Sequence, residues 1–184
     1  MQVRVSEESI EKANAQFWEQ MLAMRLEPIA PAGEAGGASS SARCIGPGHV
    51  VGCCDLSGVW AGRIEIRLSR GLAVEATSAM MMQPPDAVQP ADILDAAKEI
   101  ANMVAGTIKS ALPRPCAMSV PSAEFESGDF CIPAHTRDSV TVFFHHPAGE
   151  LMVRVWQAGL DSAEVLASQA CVDAPMFAQL SPAF

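Results

Sequence analysis

The sequence predicts an α+β fold in which an antiparallel-rich β-sheet packs with one long helix and two other helices. Apolar residues recur at helical spacing in three segments, whereas other segments alternate between apolar and polar residues as half-buried strands do. The strand-like segments occur in pairs that are joined by turns containing Gly, Ser and Pro. Helices interleaved with antiparallel hairpins are typical of the α+β class.

The first helix is predicted over Ser6–Arg25. Ser6 is a residue type favoured at the N-cap, and Glu7 and Glu8 suit the positive end of the helix dipole. The apolar stripe of this helix consists of Ile10, Ala13, Phe17, Trp18, Met21 and Leu22. Residues 30–48 are rich in Gly, Ala, Ser and Pro, and we interpret them as a flexible insertion within one domain.

A β-hairpin is predicted next, with Val50–Leu56 as an apolar first strand and Ser57-Gly58 beginning the turn. The second strand, Gly62–Leu68, alternates between two faces, with Ile64, Ile66 and Leu68 on one and Arg63, Glu65 and Arg67 on the other. This alternation predicts a hairpin with one buried face. Trp60, in the turn, is a candidate for an exposed contact residue.

The longest helix signal is Ala91–Leu112, which Pro90 precedes and Pro113 ends. A shorter helix is predicted before it, over Gly71–Met82, and ends ahead of two consecutive prolines. The remaining predicted elements are strands over Cys116–Val120, Ser139–His145 and Leu151–Gln157 and a last helix over Asp161–Ala170. We expect one domain over residues 1–160 and a C-terminal extension over residues 161–184.

Composition argues against several classes of function. The 12 Lys and Arg residues against 21 Asp and Glu residues give a net charge of −9, without the basic stripe that a general nucleic-acid binder shows. The start of the chain lacks the apolar core of a signal peptide, and no apolar run approaches the roughly 18 residues of a membrane span. We therefore expect a cytoplasmic protein with no nucleic-acid or membrane partner. The charged fraction of 18% is low and favours surface buried in an oligomer or complex.

No metal site is predicted from the cysteines and histidines. The six cysteines, at positions 44, 53, 54, 116, 131 and 171, form no C-x-x-C pair of the kind that a structural zinc site requires. His145 and His146 are adjacent in a predicted strand, so their side chains point to opposite faces. We expect the cysteines to be free and mostly buried thiols.

One side of the long helix carries a polar stripe, whereas most of the remaining helix surface is apolar. The polar stripe consists of Asp92, Asp95, Glu99, Asn102, Gly106 and Lys109, whose spacings of three and four residues align them along one side. Glu99 and Asn102 place a carboxylate and an amide side by side. A glycine inside a helix is about 1 kcal/mol less favourable than alanine, which suits Gly106 if something must approach the helix closely there.

The solvated face of an amphipathic helix explains the same polar stripe, and on the pattern alone we favour that explanation. Asparagine is a poor helix former, however, and solvated faces usually carry Lys, Glu and Gln instead. The presence of Asn102 therefore shifts the balance only modestly toward a functional interpretation.

A family resemblance favours the functional interpretation of the polar stripe. Residues 99–110, EIANMVAGTIKS, resemble the E-x-x-N signature helix of the CheC/CheX/FliY chemotaxis phosphatases. The order of predicted elements is also similar to that of CheX-like domains, from the N-terminal amphipathic helix and the Ser57-Gly58 hairpin to the final hairpin that contains Gly149. The resemblance extends from about Val3 to Gln157 and implies a CheC-like fold.

The resemblance implies a hydrolase that removes the phosphoryl group from the aspartate of a phosphorylated CheY-like receiver domain. Asn102 would orient the attacking water, and Glu99 would pair with the active-site lysine of the receiver. From its place on the polar stripe, Gly106 is expected to be a position of close contact, and we expect Asp95, Lys98 and Lys109 to belong to the partner-binding surface as well. The Mg²⁺ ion would belong to the receiver, so this chain would need no cofactor of its own.

A single signature helix makes the chain similar to CheX rather than to CheC, which carries two. Glu11 and Asn14 match E-x-x-N literally, but the residues after them do not continue the signature, and we treat that match as chance. The CheX resemblance also implies a homodimer. Two alternatives remain open: a catalytically silent module that docks to a receiver or another signalling protein, and, more weakly, a flagellar-switch role.

Overall fold

The helices and strands of the computed structural model, which describes residues 5–29, 43–132 and 139–158, confirm the α+β class. In these residues, three α-helices lie among nine strands, and a short 3-10 turn precedes the third helix. The helices are α1 (Glu7–Leu22), α2 (Arg70–Met81) and α3 (Pro90–Ser110). The strands are β1 (Glu27–Ile29), β2 (Arg43–Ile45), β3 (His49–Gly58), β4 (Gly62–Leu68), β5 (Cys116–Met118), β6 (Ser122–Glu126), β7 (Phe130–Ile132), β8 (Ser139–His146) and β9 (Gly149–Gln157).

Seven of these strands form one antiparallel sheet in the order β1-β8-β9-β4-β3-β5, with β6 also paired to β3. The three helices pack on one face of this sheet, which we call the inner face, and the apolar core lies between the two layers. Both predicted hairpins, β3–β4 and β8–β9, are present and are joined to each other through β4 and β9. The fold thus has two layers, helices over a sheet.

Helix α3 approaches the sheet most closely at Gly52 of β3. A Cβ atom at this position would stand 2.8 Å from the backbone oxygen of Ala97 and 3.2 Å from the Cβ of Ala101. Only a glycine lets the two backbones come this near. The contact fixes which side of α3 faces the core and therefore which side faces away from it.

The helix ends follow the signals in the sequence. Ser6 is the N-cap of α1, and its hydroxyl oxygen accepts a hydrogen bond from the amide of Ser9. The first helix ends earlier than predicted, at Leu22, because Ala23 takes the left-handed conformation and its neighbour Met24 bonds back to the Trp18 carbonyl.

The outer face of the sheet, opposite the helices, is where the predictions fail. Glu65 and Arg67 of β4 are each only 6% exposed, so the expectation of one solvated face on this hairpin is wrong. Arg67 donates hydrogen bonds to Glu65 and Glu126, and a further bond joins it to His49 at 2.7 Å. Because its partners satisfy the guanidinium, this charge can be buried on a strand.

A two-stranded ribbon, β2 paired with β7, forms a second small sheet. Strand β2 falls within the predicted flexible insertion, which was therefore wrong for residues 43–45. A disulfide joins Cys44 to Cys131 across the ribbon, which corrects the expectation that these two cysteines are free. Cys53, Cys54 and Cys116 are free as predicted.

Trp60 is 3% exposed and belongs to the core, so the prediction of an exposed contact there is wrong. Strands β1, β6 and β7, like β2, were not predicted. The predicted helix over residues 161–170, and the whole extension over residues 161–184, lie outside the described residues. Within residues 5–29, 43–132 and 139–158, no helix is long and apolar enough to cross a membrane.

Candidate functional site

Helix α3 buries one side and leaves the polar stripe on the other. Its buried residues, all apolar, are Ile93, Ala96, Ala97, Ile100, Ala101, Val104, Ala105 and Ile108. The small residues among them allow the close approach to β3, and the larger ones fill the core beside it. The polar stripe therefore faces away from the sheet and is available to solvent or to a partner.

Glu99 and Asn102 stand at the centre of the exposed side. Glu99 is exposed and Asn102 is half-buried, and the two lie one turn apart on neighbouring positions of the helix surface. In the described part of the chain, neither side chain has a hydrogen bond or an ion pair. Their carboxylate and amide groups are therefore not committed to holding this fold together.

Gly106 lies one turn beyond Asn102, and the space beside it is open. Apart from the backbone of its own helix, a Cβ atom at Gly106 would meet no described atom within 4 Å. Gly52 differs in this respect, because the backbone of α3 lies so close to it that only a glycine fits there. Packing within the described chain does not account for Gly106, despite its cost of about 1 kcal/mol in helix stability.

The charged residues around this centre are partly engaged. Lys98 Nζ donates to Asp95 Oδ1 at 3.0 Å, an exposed pair that contributes little to stability. Lys109 has no ion pair with any described residue, and it lies near enough to Cys116 to oppose the rise that burial causes in the pKa of that thiol. The charge of Lys98 is thus paired with Asp95, whereas Lys109 lies two turns beyond Asn102 along the same helix.

Asp92, the first member of the polar stripe, has a structural role. Its carboxylate accepts hydrogen bonds from the backbone amide of Gln89 at 3.0 Å and from the side chain of Gln83 at 3.4 Å. This is one half of a capping box that begins α3. The first residue of the polar stripe, Asp92, therefore caps the helix, and the stripe is open to solvent from Asp95 onward.

Met103, an apolar residue of α3, also lies on the open side of the helix. It lies one turn from Glu99 and is 36% exposed, on the same open side. Its i+4 spacing from Glu99 was the signal that could have identified it. An unbranched, adaptable side chain at this place suits a surface that must fit a partner.

The second literal E-x-x-N match, Glu11 and Asn14, does not form a comparable surface. Asn14 is fully buried in α1, and its side-chain nitrogen donates to the carbonyl of Ile10 at 2.9 Å. This amide cannot reach another protein without unfolding the helix. Among the described residues, α3 is therefore the one helix that presents the motif outward.

The open side of α3 can position a molecule but carries no strong nucleophile. A carboxylate can pair with a cation, and an amide can donate and accept hydrogen bonds at the same time. Across residues 5–29, 43–132 and 139–158, no group of three or more His, Cys, Asp and Glu side chains could hold a metal ion. This chemistry fits a surface that docks to a partner and orders a water there.

A family model described as chemotaxis phosphatase CheX matches residues 50–145. The chemotaxis protein CheX from Vibrio vulnificus is similar in structure, with a TM-score of 0.64, 19% identity and coverage of 86% of this chain and 100% of that chain. A CheC-like superfamily protein from Shewanella sp. PV-4 gives a TM-score of 0.63 at 18% identity, covering 83% of this chain and 96% of that chain. These likenesses show a CheC-like fold.

A third solved structure, a CheX-CheY-BeF3-Mg²⁺ complex from Borrelia burgdorferi, contains a chain similar to this one. Its TM-score is 0.57 at 17% identity, and the match covers 85% of this chain and 100% of that chain. No curated protein matches the sequence. The matched region of the family model, residues 50–145, contains all of α3.

Proposed function

The chain belongs to the CheX family of chemotaxis phosphatases, and from that premise we propose that it hydrolyses the aspartyl phosphate of a CheY-like receiver domain. The Borrelia burgdorferi relative, which forms a complex with CheY, BeF3 and Mg²⁺, supports a receiver as the partner. We identify the open side of α3 as the docking surface, with Glu99 and Asn102 at its centre.

The observation that carries this proposal is the unused pair of polar groups on α3. Glu99 is exposed and Asn102 is half-buried, and neither has a partner among the described residues. A buried pair would have supported a structural role. The open space at Gly106 adds room for another protein to come close to the same side of the helix.

Asn102 orients the water that attacks phosphorus. An aspartyl phosphate is a mixed anhydride, and its hydrolysis needs a water placed in line with the phosphorus–oxygen bond that breaks. The amide oxygen can accept a hydrogen bond from that water while the amide N–H₂ donates to an oxygen of the phosphoryl group or the receiver. Positioning of this kind requires no covalent intermediate on this chain.

Glu99 sets the register of docking. Its carboxylate pairs with the active-site lysine of the receiver, a charge-assisted contact that strengthens as water is excluded from the interface. Asp95 lies one turn before Glu99, Lys98 is its neighbour in the chain, and Lys109 lies further along the same side of the helix. The two lysines add positive charge along a helix of a chain whose net charge is −9, which favours approach to an acidic receiver pocket. Met103 contributes apolar contact beside them.

The proposed reaction takes its Mg²⁺ from the receiver, where the ion neutralises the phosphoryl oxygens.

The family resemblance also leads us to propose that the chain works as a homodimer. Sedimentation equilibrium at micromolar concentration tests this point, and a monomer mass at every concentration would refute it.

The test of the proposed function is the loss of radiolabelled phosphate from purified phospho-receivers of the same organism. We expect the wild-type chain to accelerate this loss, and Asn102→Ala to reduce the acceleration by about 10²-fold or more, as removal of one transition-state contact does in other enzymes. Gln16→Ala, which removes an exposed carboxamide from α1, is the matched control and should leave the rate unchanged.

Glu99→Ala separates docking from chemistry. We expect a higher KM for the phospho-receiver with kcat largely kept, because the lost contact positions the whole partner rather than the water alone. Glu19→Ala, an exposed glutamate on α1, is its control. Binding of a BeF3-activated receiver without any acceleration of dephosphorylation would refute the enzyme and leave a silent docking module.

A further inference from the structure

We propose that the Cys44–Cys131 disulfide is a thiol–disulfide exchange site, which a small-molecule or protein dithiol reduces while the rest of the protein stays folded. This inference concerns the outer face of the sheet and does not rest on the proposed phosphatase. The bond joins residues separated by 87 positions in the sequence. It is held in the two-stranded ribbon of β2 and β7, opposite the face on which α3 lies.

The two cysteines lie on the exposed side of the ribbon. Cys44 and Cys131 lie directly opposite each other in the ribbon, and both residues are exposed. Their neighbours face the other way: Ile45 is 1% exposed and packs with Phe130 against the outer face. The alternation of a strand thus puts the disulfide on the solvent side of the ribbon, where a thiolate can reach it.

The free thiols among the described residues, those of Cys53, Cys54 and Cys116, are less accessible than the disulfide. Burial raises the pKa of Cys53 to about 12 and that of Cys54 to about 11, and Glu65 and Asp55 respectively raise them further. These thiols are protonated at neutral pH and are therefore poor nucleophiles. Burial also raises the pKa of Cys116, which is half-buried, so the exposed disulfide is easier for a thiolate to reach than any of these three thiols.

The exchange follows ordinary sulfur chemistry. A thiolate of the dithiol attacks one sulfur of the pair, the S–S bond breaks, and the departing cysteine leaves as a thiolate that takes a proton from water. The second thiol of the reductant then attacks the mixed disulfide and releases the other cysteine. Two electrons and two protons pass to the chain, and the dithiol becomes a disulfide.

Reduction is expected to loosen the ribbon from the sheet. Among the described residues, three pairs join β2 to β7, and a two-stranded sheet of this size is marginally stable alone. The ribbon covers Met152, which is fully buried, and places the Phe130 ring 3.4 Å from the guanidinium carbon of Arg67. Its release would uncover an apolar patch and a buried arginine, which together form a redox-dependent surface.

The experiment follows cysteine labelling of the full, oxidised chain under native conditions. Dithiothreitol is the dithiol, N-ethylmaleimide traps each free thiol, and mass spectrometry of peptides reports each cysteine separately. We expect Cys44 and Cys131 to be labelled together, at a rate proportional to the dithiothreitol concentration and unaffected by urea below the unfolding transition. Cys54 should stay unlabelled as the internal control, since it is 1% exposed.

Two results would overturn the proposal. Labelling of Cys44 and Cys131 before any reductant is added would mean that no disulfide exists to be exchanged. Reduction whose rate rises with urea in step with global unfolding would mean that the folded protein shields the bond.

Hydrogen exchange tests the consequence for the ribbon. The amides of Ile45 and Phe130 should exchange at least about tenfold faster after reduction, whereas those of α3 keep their rate. A Cys44→Ser, Cys131→Ser double variant should show the fast ribbon exchange without any reductant. Unchanged exchange at the ribbon in both samples would refute its release.

Discussion

Gly106→Ala tests whether the glycine in α3 serves this chain or a partner. The new methyl group meets no described atom of the chain within 4 Å, so it introduces no clash in the free protein. Replacing a glycine inside a helix with alanine adds about 1 kcal/mol to the free energy of unfolding. For a domain of this size, that gain raises Tm by about 2–4 °C.

The effect on docking has the opposite sign. If the receiver comes close to α3 at Gly106, the methyl group is forced into a packed interface, which costs about 1–3 kcal/mol. That energy corresponds to about 5- to 150-fold weaker binding of the receiver. The variant should therefore be more stable than wild type and less active as a phosphatase at limiting receiver concentration.

The assay combines thermal unfolding with dephosphorylation of the phospho-receiver, measured on the same preparations. Gly71→Ala in α2 is the contrasting control, because a Cβ there would run into the backbone oxygen of Ala148. We expect that variant to be destabilised. A Gly106→Ala protein that gains stability and dephosphorylates as fast as wild type would refute the assignment of Gly106 to the docking surface.

Two further predictions concern the sheet. Gly52→Ala should destabilise the protein by about 1–3 kcal/mol, because its Cβ would stand 2.8 Å from the backbone oxygen of Ala97, which cannot move aside. Urea unfolding measures this loss, and an unchanged midpoint would contradict the close approach of α3 to the sheet. The hydrogen bond from Arg67 holds the pKa of Glu126 below its usual value of 4.5. The ionised Glu126 carboxylate therefore stabilises the fold above pH 4.5, and this stabilisation is lost as the pH falls through the lowered pKa. On acidification from pH 7, the Tm of the Glu126→Gln variant should therefore fall less than the Tm of wild type. Equal falls in Tm for the two proteins would show that the Glu126 carboxyl does not cause the loss of stability in acid.

Much of the helical layer was predictable from the sequence. The prediction of a long helix over Ala91–Leu112 differs from the observed Pro90–Ser110 by one residue at the start and two at the end. The capping residue Ser6 was also identified, although α1 ends three residues earlier than predicted. Local signals such as caps, prolines and apolar periodicity act within a few residues and can be read directly.

The candidate site was predictable only in part. The spacing of Glu99, Asn102 and Gly106 placed them on one side of a helix, but it did not show whether that side was covered. The structure shows Glu99 exposed and gives Asp92 to the helix cap, and it adds Met103 to the open side. Exposure depends on what packs against a helix, which its own periodicity does not report.

The outer face of the sheet was not predictable in this way. Alternation in β4 correctly separated two faces, but it assigned Glu65 and Arg67 to solvent because charged residues are usually exposed. The Phe130 ring of the ribbon covers Arg67, and Glu65 is hydrogen-bonded to Arg67. The strands of this ribbon are too short to give a pattern in the sequence. The prediction of free thiols failed for Cys44 and Cys131 because it considered only the spacing of cysteines along the chain.

By itself, the sequence determined the α+β class, the long helix and the residues aligned on its polar side. Only the tertiary structure decided that this side is open at Glu99, that α3 meets the sheet at Gly52, and that Cys44 pairs with Cys131. The physical reason is the distance along the chain over which each kind of interaction acts. Periodicity and capping arise from neighbours within a turn or two, whereas a contact between residues 87 positions apart depends on the path of the whole chain.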